Sequence, residues 1–139
     1  MRKFYIFKIN DEFYSLTKNC PYNLYKSLEQ IYRINKTNLN EAYNLFSSLC
    51  LPFDQNKLNI NIFNKYKDNE SYVKFNNVHM INDYFSKESS KLTINKTHLT
   101  LTTSKANPIY FDNLKNIKGI FVCDFNNVDY FYLENICLK

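Results

Sequence analysis

The residues that could do chemistry in this chain are few and scattered. His79 and His98 sit in no recognisable nucleophile motif and have no partners at metal-ligand spacing. His98 reads as a solvated residue at a hairpin tip, and His79 as a core or surface histidine. The four cysteines, Cys20, Cys50, Cys123 and Cys137, form no C-x-x-C pair and stand far from both histidines. Reduced thiols packed as small apolar side chains are expected, with no metal and no cofactor. Asp124 and Asp129 flank a short turn and resemble a carboxylate pair, yet an Asp beside a tight turn usually bonds its own backbone. Gly119 is the sole glycine, which excludes the P-loop, G-x-G-x-x-G and G-x-S-x-G, because each needs several positions that only glycine permits. No catalytic residues are expected, and the chain does not read as an enzyme.

Binding is the remaining class of function. The formal net charge is +5. Residues 1–36 hold seven basic side chains (Arg2, Lys3, Lys8, Lys18, Lys26, Arg33, Lys36) against three acids, so the excess is nearly all N-terminal. Only Arg2 and Lys3 are adjacent, so no polybasic run marks a phosphate-backbone stripe or a lipid anchor. The 12 Tyr and 12 Phe are the other excess. Strand-borne aromatics can stack single-stranded bases where they interleave with a basic groove, which keeps a small nucleic-acid-binding module as the alternative reading. The 22 Asn and 16 Lys share A/T-rich codons with Ile, Tyr and Phe, so nucleotide bias explains them and they are not read as chemistry.

A hydrophobic fraction of 45% with 22% charged residues is ordinary globular usage, which excludes a disordered tail or a membrane bundle. The apolar run Phe4–Phe7 is too short for a signal core, and a cytoplasmic location is expected. Residues 3–9 alternate as a strand apolar on both sides, Phe4 and Ile6 opposite Tyr5, Phe7 and Ile9, which predicts a place in mid-sheet. A loop is expected from Asn10 to Asn19. Helices are predicted from Pro21 to about Ile34, from Asn40 to Leu51, and after a cap at Asp54 with Leu58, Ile62 and Tyr66 on one face. Tyr72–Phe75 reads as a strand, and Leu92–Ile94 with Leu99–Thr102 as a hairpin. Residues 76–90 suggest no element.

A fourth helix is expected over Pro108–Ile117, with Gly119 near its C′ position. Ile120–Phe125 and Val128–Leu133 should pair across a turn whose positive φ an Asn takes. The strand at Ile120, Val122 and Cys123 should be central or nearly so, because both its faces are apolar. The sum is a single α+β domain over 1–139, a mainly antiparallel sheet of about five strands against three to four helices.

The order of these features resembles the SirA family of sporulation inhibitors of replication. The resemblance is carried by Ile9-Asn10-Asp11-Glu12-Phe13 at the end of the first strand, and by Phe121-Val122-Cys123-Asp124-Phe125-Asn126 leading into an aromatic last strand. It implies a bacterial cytoplasmic protein that binds the N-terminal domain of the replication initiator DnaA and blocks initiation without catalysis. It implies no direct nucleic-acid, membrane or small-molecule partner. The family contacts its partner through aromatics of the N-terminal strand-loop-helix region, and Phe13 falls on one such position. The second aromatic falls on Thr17, leaving Tyr14 or Tyr22 to supply the ring, or a partner surface changed alongside it. Lys18 and Lys26 complete the expected partner-binding set as steering charges. From its own residues, Phe13 is either satellite core or an anchor for a protein partner.

Overall fold

The computed structural model describes residues 1–34 and 38–135. At its centre lies β1 (Arg2–Ile9), whose alternation is the expected one. Neither face of this strand meets water at Phe4, Ile6, Phe7 or Ile9. β1 pairs with β6 (Leu99–Thr103) along one edge and β7 (Ile120–Asp124) along the other. Outward from β6 follow β5 (Glu88–Ile94), β4 (Val78–Asp83) and β3 (Tyr72–Phe75), and beyond β7 lies β8 (Asp129–Tyr132). The two-residue β2 (Cys50–Leu51) pairs with the end of β1. Every pairing is antiparallel. β7 is the last strand but one and not the near-central strand expected, yet it is buried along its whole length because β8 covers its outer edge and both its faces are packed.

Helices cover both faces of the β1 region. α4 (Gln55–Tyr66) begins at Asp54, whose carboxylate accepts the Lys57 N–H at 3.2 Å. It lays Leu58, Ile62 and Tyr66 on the Phe4/Ile6 side, where the short α5 (Phe111–Leu114) joins it. On the Phe7/Ile9 side, α2 (Tyr22–Tyr32) packs Leu24, Tyr25 and Leu28, and α3 (Leu39–Leu49) packs Phe46 and Leu49. Each large apolar side chain buried this way stabilises the fold by about 1.5–3 kcal/mol. Cys50 and Cys123 are free thiols within this second core, Cys20 is exposed, and Cys137 lies outside the described residues.

The class is the α+β one expected, but the described residues form eight strands and five helices, not about five and three to four. β4 and the first three residues of β5 lie within residues 76–90, where the expected alternation is disguised: His79, Glu88 and Ser90 point inward beside Ile81 and Leu92. Residues 10–19 are not a loop but hold α1 (Asp11–Thr17), a helix too short to show an apolar period. The expected Pro108–Ile117 helix shrinks to four residues. Gly119 is no helix cap; with φ +80° it brings β7 against β1, where a Cβ would sit 2.9 Å from the Ile9 carbonyl oxygen.

Asp124 organises the last hairpin. Burial pushes its carboxyl up, but hydrogen bonds from Asn127 and Arg2 outweigh this and hold it below the usual range. Its Oδ1 accepts from the Asn126 and Asn127 N–H groups, both at 3.2 Å. Arg2 donates to Asp124 at 3.0 Å and to Asp129 at 2.8 Å, so the two carboxylates flanking the turn share one guanidinium. The positive φ falls on Val128, at 52°, not on an asparagine. Asp124 secures Asn126 and Asn127 earlier in the turn, leaving the reversal to a β-branched residue that adopts it at a cost. Val128→Asn should therefore raise stability by about 1 kcal/mol, since Val128 is exposed and gives up no burial; chemical denaturation checks this.

Under α4 a polar chain runs from the buried His79 out to the surface. Tyr72 Oη lies 2.7 Å from His79 Nδ1, His79 Nε2 lies 2.7 Å from Asn59 Oδ1, and Asn59 Nδ2 donates to Asn77 at 2.9 Å. With Asn59 accepting, His79 donates through Nε2 and receives the Tyr72 hydroxyl at Nδ1, which fits the neutral ring. Burial, with Lys74 nearby, lowers the His79 pKa to about 4. The unfolded chain thus binds a proton near pH 6.5 that the fold refuses until about pH 4. Stability should fall as pH drops through that window, by up to about 3 kcal/mol from this residue. A His79→Gln variant should show a flatter dependence in melts between pH 7 and 4.

Candidate functional site

The expected partner-binding residues are brought together on α1 and α2. α1 starts at Asn10, whose Oδ1 accepts the Phe13 N–H at 2.9 Å, while its Nδ2 donates to the Ser48 carbonyl at 2.8 Å and its N–H to the Leu49 carbonyl at 3.0 Å. One cap thus ties α1 to the end of α3, and Asp11 and Glu12 suit the positive pole of the first turn. Asn followed by two acids was the signal in the sequence for this helix.

Phe13 is half-buried and packs against the second core, so it lies between the two readings of its role. Tyr14 is half-buried, edge-on to Tyr132 with centroids 5.2 Å apart, and carries Lys118 Nζ 5.3 Å from its ring centroid. The nearby Glu134 carboxylate is the main cause that raises the Tyr14 pKa. Thr17 turns inward: its hydroxyl donates to the Phe13 carbonyl and lies 2.7 Å from Tyr132 Oη, which must then be the donor. Tyr132 is buried, so Thr17 supports the hairpin beneath α1.

Outward stand Leu16, 71% exposed, Tyr22, 51% exposed, and the exposed Lys18 and Lys26. Lys26 pairs with Glu29 at 3.2 Å and lies 6.0 Å from the Tyr22 ring. Lys26 is also the main reason the Glu29 carboxyl is held below its ordinary range. The N-terminal basic excess is not one patch. Arg2 is consumed by Asp124 and Asp129, and Arg33 shares Glu29 with Lys26.

Behind this face the aromatics form a continuous run. Tyr22 meets Tyr130 at 6.4 Å, Tyr130 stacks on Tyr25 at 4.5 Å, Tyr25 on Phe125 at 5.8 Å, and Phe125 on Tyr32 at 4.6 Å. Burial is the main cause that pushes the Tyr25 hydroxyl up to about 12. The run continues through Tyr5 to His98, 6.0 Å from the Tyr5 ring and 6.1 Å from that of Phe7. His98 is therefore not solvated as expected: it is half-buried among rings, and burial, then Lys3, lowers its pKa. This surrounding was hidden in the sequence because its parts come from three distant segments.

Among the described residues no group of three or more His, Cys, Asp or Glu could hold a metal, and no helix is long and apolar enough to cross a membrane. No family model matches the chain, and no curated protein matches it.

The Thr17 bond yields a test. Thr17→Val keeps the shape but strands the buried Tyr132 hydroxyl, which should cost about 1–3 kcal/mol. Adding Tyr132→Phe should recover much of that loss, and a double-mutant cycle by urea denaturation measures the coupling.

Proposed function

We propose that this chain is a non-catalytic inhibitor of DNA replication initiation that binds the N-terminal domain of DnaA through α1 and α2. The observation that carries this reading is the exposed Leu16 and Tyr22 beside Lys18 and Lys26, in the region that the SirA resemblance assigns to the partner. A tyrosine backed by stacked rings loses little rotamer freedom on binding, which suits a contact anchor. Lys18 and Lys26 at its margin suit steering toward an acidic protein domain. Tyr22 takes over from Thr17 as the second ring, because Thr17 is engaged inward.

A second reading, a nucleic-acid-binding module, is favoured by one other feature. On the sheet face that α2 and α3 leave open, two cross-strand rows run Val73, Met80, Lys91, Thr102, Lys3 and Phe75, Val78, Thr93, Thr100, Tyr5. These rows carry two lysines and no acid, with aromatics at intervals.

One set of measurements separates the two. Tyr22→Ala and Leu16→Ala should each weaken binding to the recombinant DnaA N-terminal domain by about thirtyfold, with the melting temperature nearly unchanged. Lys18→Glu or Lys26→Glu should act mainly on the association rate. Variants that bind like the parent chain would remove α1 and α2 as the contact, and no binding at all would remove the DnaA reading. A single-stranded oligonucleotide whose retardation weakens steeply with salt and is lost in Lys91→Glu would establish the second reading instead.

A further inference from the structure

Between α2, α3 and the Tyr5/Phe7 side of β1 lies a cavity of about 580 Å³. That is the size of a small-molecule site, larger than packing defects in a close-packed interior. Leu28 and Ile31 from α2, and Ala42, Tyr43 and Phe46 from α3, make most of its wall apolar. Tyr5 and Tyr32, with Thr97 and His98 of the β5–β6 turn, bring polar groups to one side, and Asn40 and Tyr43 are the polar residues of the α3 side. The Tyr5 and Tyr32 rings are 4.9 Å apart, and Tyr5 is the main cause that raises the Tyr32 pKa. His98 engages Thr97 Oγ1 through Nδ1 at 2.9 Å, and its Nε2 has no protein partner among the described residues.

Two cations stand near this polar end, one of them, Arg33, also 3.8 Å from Glu29. Lys3 Nζ lies 5.2 Å from the Tyr5 ring centroid and acts on His98, and Arg33 Cζ lies 5.9 Å from the Tyr32 ring centroid. Among the described residues no carboxylate lines the cavity. An inorganic anion would leave the apolar wall unfilled, a cation would meet Lys3 and Arg33, and a neutral hydrocarbon would waste the hydroxyls and the imidazole. Two cations without a basic cluster, on a concave surface, suit a free molecule and not a bilayer.

We propose that this cavity binds an amphipathic monocarboxylate such as a medium-chain fatty acid. Its apolar body lies between α2 and α3, and its carboxylate meets the Tyr5 and Tyr32 hydroxyls and His98 Nε2 beneath Lys3. A charged acceptor in that position receives charge-assisted hydrogen bonds in a partly desolvated setting. The inference is independent of the partner proposed above.

Calorimetric titration of the full chain with decanoate, decanol and decyltrimethylammonium, each below its aggregation limit, tests it. Decanoate should bind once per chain, decanol at least about tenfold more weakly, and the cation not at all. Lys3→Glu should weaken decanoate about fivefold and leave decanol unchanged. Ala42→Phe fills the cavity and should abolish decanoate binding while the protein still melts cooperatively. If that variant does not fold, decanoate should instead shift the Ala42 and Leu28 methyl signals of the parent chain. The proposal is overturned by absence of decanoate binding, by equal affinity for the alcohol, or by shifts confined to other methyls. Co-sedimentation with phosphatidylglycerol vesicles would make the occupant a bilayer, and ligand-free dimerisation that buries these methyls would make it a second copy; either result also overturns it.

Discussion

Phe4 and Ile6 on one face of β1, and Phe7 and Ile9 on the other, have to be kept from water at the same time, and a single layer of helices cannot do it. Most of the architecture answers that constraint. β6 and β7 satisfy the strand's backbone on both edges, α4 and α5 close one face, and α2 and α3 close the other. Arg2 secures the arrangement from the strand's first residue by gripping the two carboxylates at the far end of β7 and the start of β8. The guanidinium is only partly buried, so its worth lies in geometry more than in raw stability.

The helices on the Phe7 side do not reach across the whole sheet. What they cover becomes core, and what they stop short of becomes surface with a character of its own: the lysine-and-threonine rows toward β3, and the cavity at the boundary. The run of rings from Tyr22 to His98 joins the start of α2 to that boundary. The face proposed to meet a protein partner therefore rests on stacked aromatics and not on a flexible loop.

How much of this the sequence disclosed follows from how locally each feature is determined. β1 was legible because its alternation is apolar on both sides, and α4 because Asp54 caps a run of Leu58, Ile62 and Tyr66. β4 and the first half of β5 were not, since three of their inward positions carry His79, Glu88 and Ser90, which burial tolerates only through partners elsewhere, whereas Leu92–Ile94 did read as a hairpin strand. Of the candidate site, Phe13, Tyr14, Lys18, Tyr22 and Lys26 lie on or directly beside α1 and α2. The inward turn of Thr17 depends on Tyr132, far along the chain, and no local pattern encodes it. The same holds for the cavity, whose walls come from four separate segments.

The position of β1 also sets the timing of synthesis. The strand is made well before its two long partners, since β6 and β7 follow some ninety to a hundred and ten residues later. At about 5–20 residues per second the nascent chain carries four large apolar side chains without a sheet to enter for roughly five to twenty seconds. The helices α1 to α3 are made in that interval and have only an unpaired strand to pack on. Completion of the fold is thus deferred to the last hairpin, and a chain stalled before β7 would present an open, greasy strand edge to whatever chaperone or neighbour reaches it first.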